Sequence, residues 1–197
     1  MKRGFVLFLL SALLAASLAA CAQAPSAEPQ SRILYFTHRT DAEASLLAPG
    51  RLRTALGAQA VGEWGDLMVL HAAQPAEAVI IDGAAAVQAN ADDLARLYRE
   101  CVVLAFFNLY TPDIARLVND PSVRGSGLMD GSEPHPGDFY MIVHRQARTD
   151  DEGCAADALP SELTGLGKGF SQHSMASEED LEVFVGVMRT HLSHPQP

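Results

Sequence analysis

Seven consecutive residues, Cys101 to Phe107 (CVVLAFF), are apolar without exception. A strand that leaves one face in water alternates apolar with polar side chains, so an unbroken apolar run of strand length has both faces covered. The segment is therefore expected as a central strand with helices packed on either side, and it sets the layering into which the rest of the chain must fit.

The surrounding pattern alternates strand and helix. Ile33-Leu34-Tyr35-Phe36 reads as a first strand, Ala78 to Asp82 (AVIID) as a second, and Phe139 to His144 (FYMIVH) as a fourth, after the central one. Leu47 to Leu56 and Trp64 to His71 read as helices separated by Gly57 and Gly62, although the second also fits a strand. Asn90 is a helix cap with Asp93 three positions on, followed by an inward face of Leu94, Leu97 and Tyr98. Thr111-Pro112-Asp113 opens another helix, striped by Ile114 and Leu117. Ser177 and Asp180 open the last, where Leu181, Phe184, Val185, Met188 and Leu192 recur at helical spacing. Asp120 to Asp138 and Gln146 to Ser174 read as long irregular regions. Strand–helix–strand order with all-apolar strands predicts an α/β fold, a three-layer sandwich with a mostly parallel central sheet, flavodoxin- or Rossmann-like in general arrangement. The direction of the fourth strand is left open.

At the N-terminus, Lys2 and Arg3 precede an apolar run from Phe5 to Ala20, broken only by Ser11 and Ser17. That is the layout of an export signal, and at about sixteen residues it is short of the roughly 20 that cross a bilayer as a helix. The run ends in Leu18-Ala19-Ala20-Cys21, which resembles the bacterial lipobox. The resemblance implies cleavage before Cys21, lipid attachment to that cysteine, and a mature protein held to a membrane by its acyl chains. The alternative is an ordinary secretory signal followed by a chance cysteine. Ala22, rather than an aspartate, as second mature residue implies the periplasmic face of the outer membrane where the host has one. Residues 1–20 are then the signal peptide, 21–31 the lipidated cysteine and a flexible linker (AQAPSAEPQS), and 32–197 a single α/β domain.

Removing residues 1–20 takes Lys2 and Arg3 from the 14 basic side chains and none of the 24 acidic ones, so the formal charge moves from −10 to −12. Such a surface repels phosphate backbones, and no Lys/Arg cluster offsets it locally, which argues against nucleic-acid binding. Acidity equally disfavours a domain lying flat on anionic lipid. The expected partners are the membrane, through the lipid, and an envelope protein.

Two cysteines remain after lipidation, Cys101 and Cys154, in a compartment that permits disulfides. A bridge between them closes a loop of about fifty residues, worth on the order of 4 kcal/mol in the chain-entropy model. The alternative is a buried thiol at Cys101 and an unpaired Cys154. An antiparallel fourth strand brings Cys154 out at the Cys101 end of the sheet and makes the bridge easy.

In open α/β sheets ligands bind beyond the carboxyl ends of the strands. Those ends carry Thr37, His38 and Arg39, then Asp82 and Gly83, then Asn108, with His144 and Arg145 joining if the fourth strand is parallel. His38, Asp82 and Asn108 form a candidate ligand site able to coordinate a metal or orient a water, unless they simply cap strands as these reach solvent. Asp82 also resembles the phosphoacceptor of response-regulator receivers, but the acidic pair and the late lysine of that pattern are missing. Gly165-Leu166-Gly167-Lys168-Gly169 lacks the first glycine and the hydroxyl of a Walker loop. The opening ILYFTHRTD and the strand–helix–strand centre loosely resemble amidotransferase-like α/β domains, without their Cys or Ser elbow, so activity does not carry over. His191 and His194 fit a helix C-terminus, and Asp150-Asp151-Glu152 lacks the spacing of a calcium loop. No metal or cofactor is expected. The sequence favours a lipid-anchored envelope protein with a non-catalytic accessory or binding domain. The alternatives are a hydrolase or metal-dependent enzyme using His38, Asp82 and Asn108, and a small-molecule receptor feeding a transporter.

Overall fold

The structure, a computed structural model, is described for residues 32–119, 137–145 and 168–192. Residues 1–31, Cys154, the acidic run at 150–152, residues 165–167 and His194 lie outside the described residues.

Six strands form one mixed sheet: β1 (Ile33–Phe36), β2 (Gln59–Val61), β3 (Ala78–Asp82), β4 (Val103–Phe107), β5 (Phe139–Arg145) and β6 (Lys168–Ser174). Their order across the sheet is β2-β1-β3-β4-β5-β6. The first four strands are mutually parallel, β5 runs antiparallel to β4, and β6 antiparallel to β5. The helices are α1 (Pro49–Leu56), α2 (Trp64–Ala73), the short α3 (Gly83–Ala86), α4 (Ala91–Arg99), α5 (Thr111–Leu117) and α6 (Glu178–Leu192). The chain thus has the α/β class that its strand pattern predicts.

Every residue of β1, β3 and β4 is buried, as continuous apolar strands require. Alternation sorts their side chains to two faces. Leu34, Phe36, Val79, Ile81, Leu104 and Phe106 pack with Trp64 and Leu67 of α2, Leu94, Leu97 and Tyr98 of α4, and Ile114 of α5. Ile33, Tyr35, Ile80, Ala105 and Phe107 pack with Leu52 of α1 and with Leu181, Phe184 and Met188 of α6. Helices therefore cover both faces, and the central position of β4 follows directly from its composition.

Local chemistry sets most element ends. The Asn90 side chain accepts from the N–H groups of Asp92 and Asp93, at 2.9 and 3.2 Å, and opens α4. Ser177 Oγ accepts from Asp180 N–H at 3.2 Å while Asp180 Oδ2 accepts from Ser177 N–H at 2.9 Å, a reciprocal cap on α6. Helix α5 begins one residue earlier than its sequence suggests. Its cap is Tyr110, which makes no side-chain capping bond, and Thr111 is already helical. The ambiguous segment from Trp64 is a helix, with Trp64, Leu67 and His71 turned inward.

Two strands depart from the sequence expectation. β2 is a three-residue strand paired with β1, too short for any pattern to mark. β6 occupies the end of the region read as irregular, and its ladder with β5 runs from Phe139↔Ser174 to Arg145↔Lys168. The reversed β5 carries His144 and Arg145 away from the carboxyl ends of β1, β3 and β4, so they do not join a strand-end site there.

Candidate functional site at the strand ends

From β1 the chain crosses to β2 under α1, and from β3 it crosses to β4 under α4, on the opposite face. The loops leaving β1 and β3 therefore diverge. In doubly wound sheets this switch point is where a crevice forms and ligands bind, and the strand order 2-1-3-4 is one of the common arrangements that produce it. Thr37, His38, Arg39 and Asp82 stand there.

Asp82 ends β3 on the face shared with Tyr35, and it is 1% exposed. Isolated burial of a carboxylate costs several kcal/mol, so it must be paired. Arg39 Nε donates to Asp82 Oδ2 at 2.7 Å and Arg39 Nη2 to Oδ1 at 3.5 Å. The Thr37 hydroxyl donates to Oδ2 at 3.2 Å. Thr37 Oγ1 in turn accepts from the Arg39 backbone N–H at 3.0 Å, which bends the chain after β1 and returns the arginine over the sheet. Strand alternation puts Tyr35 and Thr37 on one side, and the bend after β1 brings Arg39 to the same side.

The guanidinium also reaches two groups of the following loop. Arg39 Nη1 donates to Ser45 Oγ at 3.4 Å and lies 3.8 Å from Glu43 Oε2. Burial alone would lower the arginine pKa, but the hydrogen bond and charge of Asp82 outweigh it and raise the value. Below the pair, the Tyr35 hydroxyl donates to the Leu47 carbonyl at 3.0 Å. Burial, with a smaller push from Asp82, raises the Tyr35 phenol above its ordinary range, against the pull of the Thr37 hydroxyl. Tyr35 is not an acid or base at neutral pH.

Asn108, just past β4, adopts a left-handed conformation with φ 57°. Its side chain is spent on the β4–β5 junction: Oδ1 accepts from Phe139 N–H at 3.0 Å and Nδ2 donates to Asp138 Oδ1 at 2.8 Å. Gly83 allows the backbones to close here. A Cβ at this position would stand 2.7 Å from the carbonyl oxygens of Phe107 and Asn108.

His38 goes elsewhere. It is exposed and packs edge-on to Phe36, with ring centroids 5.7 Å apart, on the α2 face of the sheet. The structure therefore brings Asp82 together with Thr37 and Arg39 and turns His38 to the other face. Asn108 is engaged with β5 rather than with Asp82. Among the described residues, no group of three His, Cys, Asp or Glu side chains is placed to hold a metal ion.

Thr37 and Arg39 were visible in sequence as strand-end residues. Ser45, Glu43 and Asp138 were not, because their arrival depends on the loop after β1 and on the reversal of β5.

Cys101 follows α4 with φ 64° and is disulfide-bonded. Both other cysteines, Cys21 and Cys154, lie outside the described residues. Compared with known protein families, curated proteins and solved structures, the chain matches none.

Proposed function

We propose that this chain is a lipid-anchored envelope protein whose α/β domain works by binding, as an accessory or receptor module, and not by catalysis. The observation that carries the proposal is the state of Asp82, the one buried carboxylate among the described residues. A general base or metal ligand must be reachable by the group it acts on. Asp82 is 1% exposed and its carboxylate is clamped by Arg39 and Thr37, which shields it from a substrate or ion, and His38, the imidazole of the candidate trio, stands on the opposite face. A locked ion pair at a switch point suits recognition, since it fixes a guanidinium without asking it to transfer protons. The export signal and the Leu18-Ala19-Ala20-Cys21 motif supply the address.

Two experiments test the proposal. Metabolic labelling with palmitate should mark the wild-type chain and leave Cys21→Ser unlabelled; label retained in that variant refutes the anchor. A thermal-shift series of the full chain with Mg²⁺, Mn²⁺, Zn²⁺ and Ca²⁺ should give no stabilisation dependent on the strand-end residues. Metal stabilisation lost in both His38→Ala and Asp82→Asn would instead show a metal site there and favour the metal-dependent enzyme.

A further inference from the structure

We propose that the outer edge of the Arg39 guanidinium, with the Ser45 hydroxyl, is the recognition point for a small monoanionic carboxylate. The proposal deepens the binding role and rests on it. It starts from a count of hydrogen-bond donors.

A guanidinium has five N–H donors in a planar fork and no acceptor. Arg39 directs two at Asp82 and one at Ser45, which leaves two without an acceptor among the described residues. Ser45 Oγ accepts twice, from Arg39 Nη1 at 3.4 Å and from Leu47 N–H at 3.1 Å. Both its lone pairs are used, and its hydroxyl proton has no acceptor among the described residues. Three donors on two hydrogen-bonded side chains, Arg39 and Ser45, are therefore without an acceptor among the described residues. The Arg39 side chain is 21% exposed, so water and a small ligand can reach it while its inner edge stays clamped.

The structure already shows what this edge attracts. Glu43 Oε2 stands 3.8 Å from Nη1, an ion-pair distance and too long for a hydrogen bond, while its Oε1 accepts from Thr40 N–H at 3.0 Å. Glu43 belongs to the exposed loop and is tied elsewhere, so it occupies the approach without completing it. A free carboxylate can complete it, because its two oxygens match the guanidinium fork.

Charge chooses between oxyanions. Arg39 is balanced by Asp82, and the charges of Asp82 and Asp138 both act on it, with Glu43 at the mouth. A dianionic phosphate would face these carboxylates with twice the charge of a monoanion. The surroundings therefore select a singly charged carboxylate, such as a small organic acid or the carboxyl end of an amino acid.

The test uses the full chain in detergent, titrated with acetate against chloride and phosphate at matched ionic strength. The readouts are the ¹⁵Nε–H resonance of Arg39 and the melting temperature. Acetate should shift the resonance saturably. Arg39→Lys keeps the charge but loses the fork, and should weaken acetate at least tenfold. Glu43→Gln removes the competitor from an exposed loop and should tighten acetate at least threefold, an effect that does not depend on whether the arginine variant folds. Tighter saturation by phosphate overturns the carboxylate assignment. An acetate response that is absent, or indifferent to both substitutions, overturns the site and leaves a binding role for another surface. Metal stabilisation lost in His38→Ala and Asp82→Asn is the separate result that would remove the binding role itself.

Discussion

Replacing Gly83 with alanine tests whether the strand ends are set as closely as the structure shows. A Cβ built on Gly83 lies 2.7 Å from the carbonyl oxygens of Phe107 and Asn108 and 3.1 Å from the Asn108 carbonyl carbon. All three are backbone atoms, so no change of rotamer relieves the contact. Nor is that backbone free to yield. Asn108 N–H donates to the Phe139 carbonyl at 3.0 Å, and the Asn108 side chain is tied to Phe139 and Asp138. Either α3 must lift or β3 and β4 must part at their ends. Overpacking typically costs about 1–3 kcal/mol, and immobile neighbours place this case toward the upper end. The lower unfolded-state entropy of alanine returns roughly 0.4–1 kcal/mol. The expected net loss is about 2 kcal/mol, or about 4–8 °C in Tm for a chain of this size. Gly186 is the control: it lies within α6 with nothing within 4 Å of a built Cβ, so Gly186→Ala should gain about 1 kcal/mol. Urea unfolding can be followed by emission from Trp64, the sole tryptophan, which is 8% exposed. If Gly83→Ala unfolds with or after the wild type and tracks Gly186→Ala, the close approach of α3 to β4 is wrong.

Three other perturbations have defined outcomes. Hydrogen bonds from the Ala176 backbone and from Ser177 hold the Asp180 carboxyl below its ordinary value. A depressed carboxylate contributes stability above its unfolded pKa of about 3.9, and the contribution is lost as pH falls through the folded value. Asp180→Asn should therefore flatten part of the acid limb of a stability–pH curve below about pH 4; an unchanged limb counts against the cap. The buried His71 accepts the Ala76 N–H on Nδ1 at 3.0 Å, so His71→Leu should cost about 1–3 kcal/mol through the orphaned donor, and a neutral result in urea would contradict that bond. Under reductant, Cys101→Gly relieves φ 64° but deletes a side chain that is only 2% exposed, so its stability should lie within about 1 kcal/mol of wild type. In the oxidised protein, where wild type keeps its disulfide, the variant should be clearly the less stable, and equal stability there would refute the account.

How far the sequence reaches depends on how local each determinant is. The Asn90 cap, the Ser177–Asp180 cap and the buried β4 are written within a few residues of themselves, and each is legible. β2 is three residues with a mixed exposure pattern, and only its neighbour β1 makes it a strand. The segment KGFSQHS has no apolar run, so β6 is specified by the β5 edge on which it pairs. Asp82 and Arg39 were legible as strand-end polar residues. Their pairing was not, because it requires knowing that Tyr35, Thr37 and Arg39 share a face and that β1 lies beside β3. The bend after β1 leaves His38 against Phe36 on the other face, and so divides a trio of residues that look equivalent in the sequence.

The direction of β5 decides what gathers at each end of the sheet. The register Phe107↔Tyr140 and Leu104↔Val143 delivers Asp138 to Asn108, at the sheet end that carries Asp82, and runs the other end of β5 toward Cys101. There α4 closes with Cys101 N–H on the Tyr98 carbonyl at 3.2 Å and Val102 N–H on the Leu97 carbonyl at 3.0 Å. That is the bond pattern of a helix end whose left-handed residue is ordinarily glycine. A cysteine at that position carries a backbone cost that glycine would not, and its buried side chain is held in a disulfide. Eight residues, 146–153, separate the end of β5 from Cys154. A parallel β5 would spend them returning along the sheet; the antiparallel strand observed starts them from the Cys101 end. The same reversal that brings Asp138 to Asn108 thus ends β5 at the Cys101 end of the sheet.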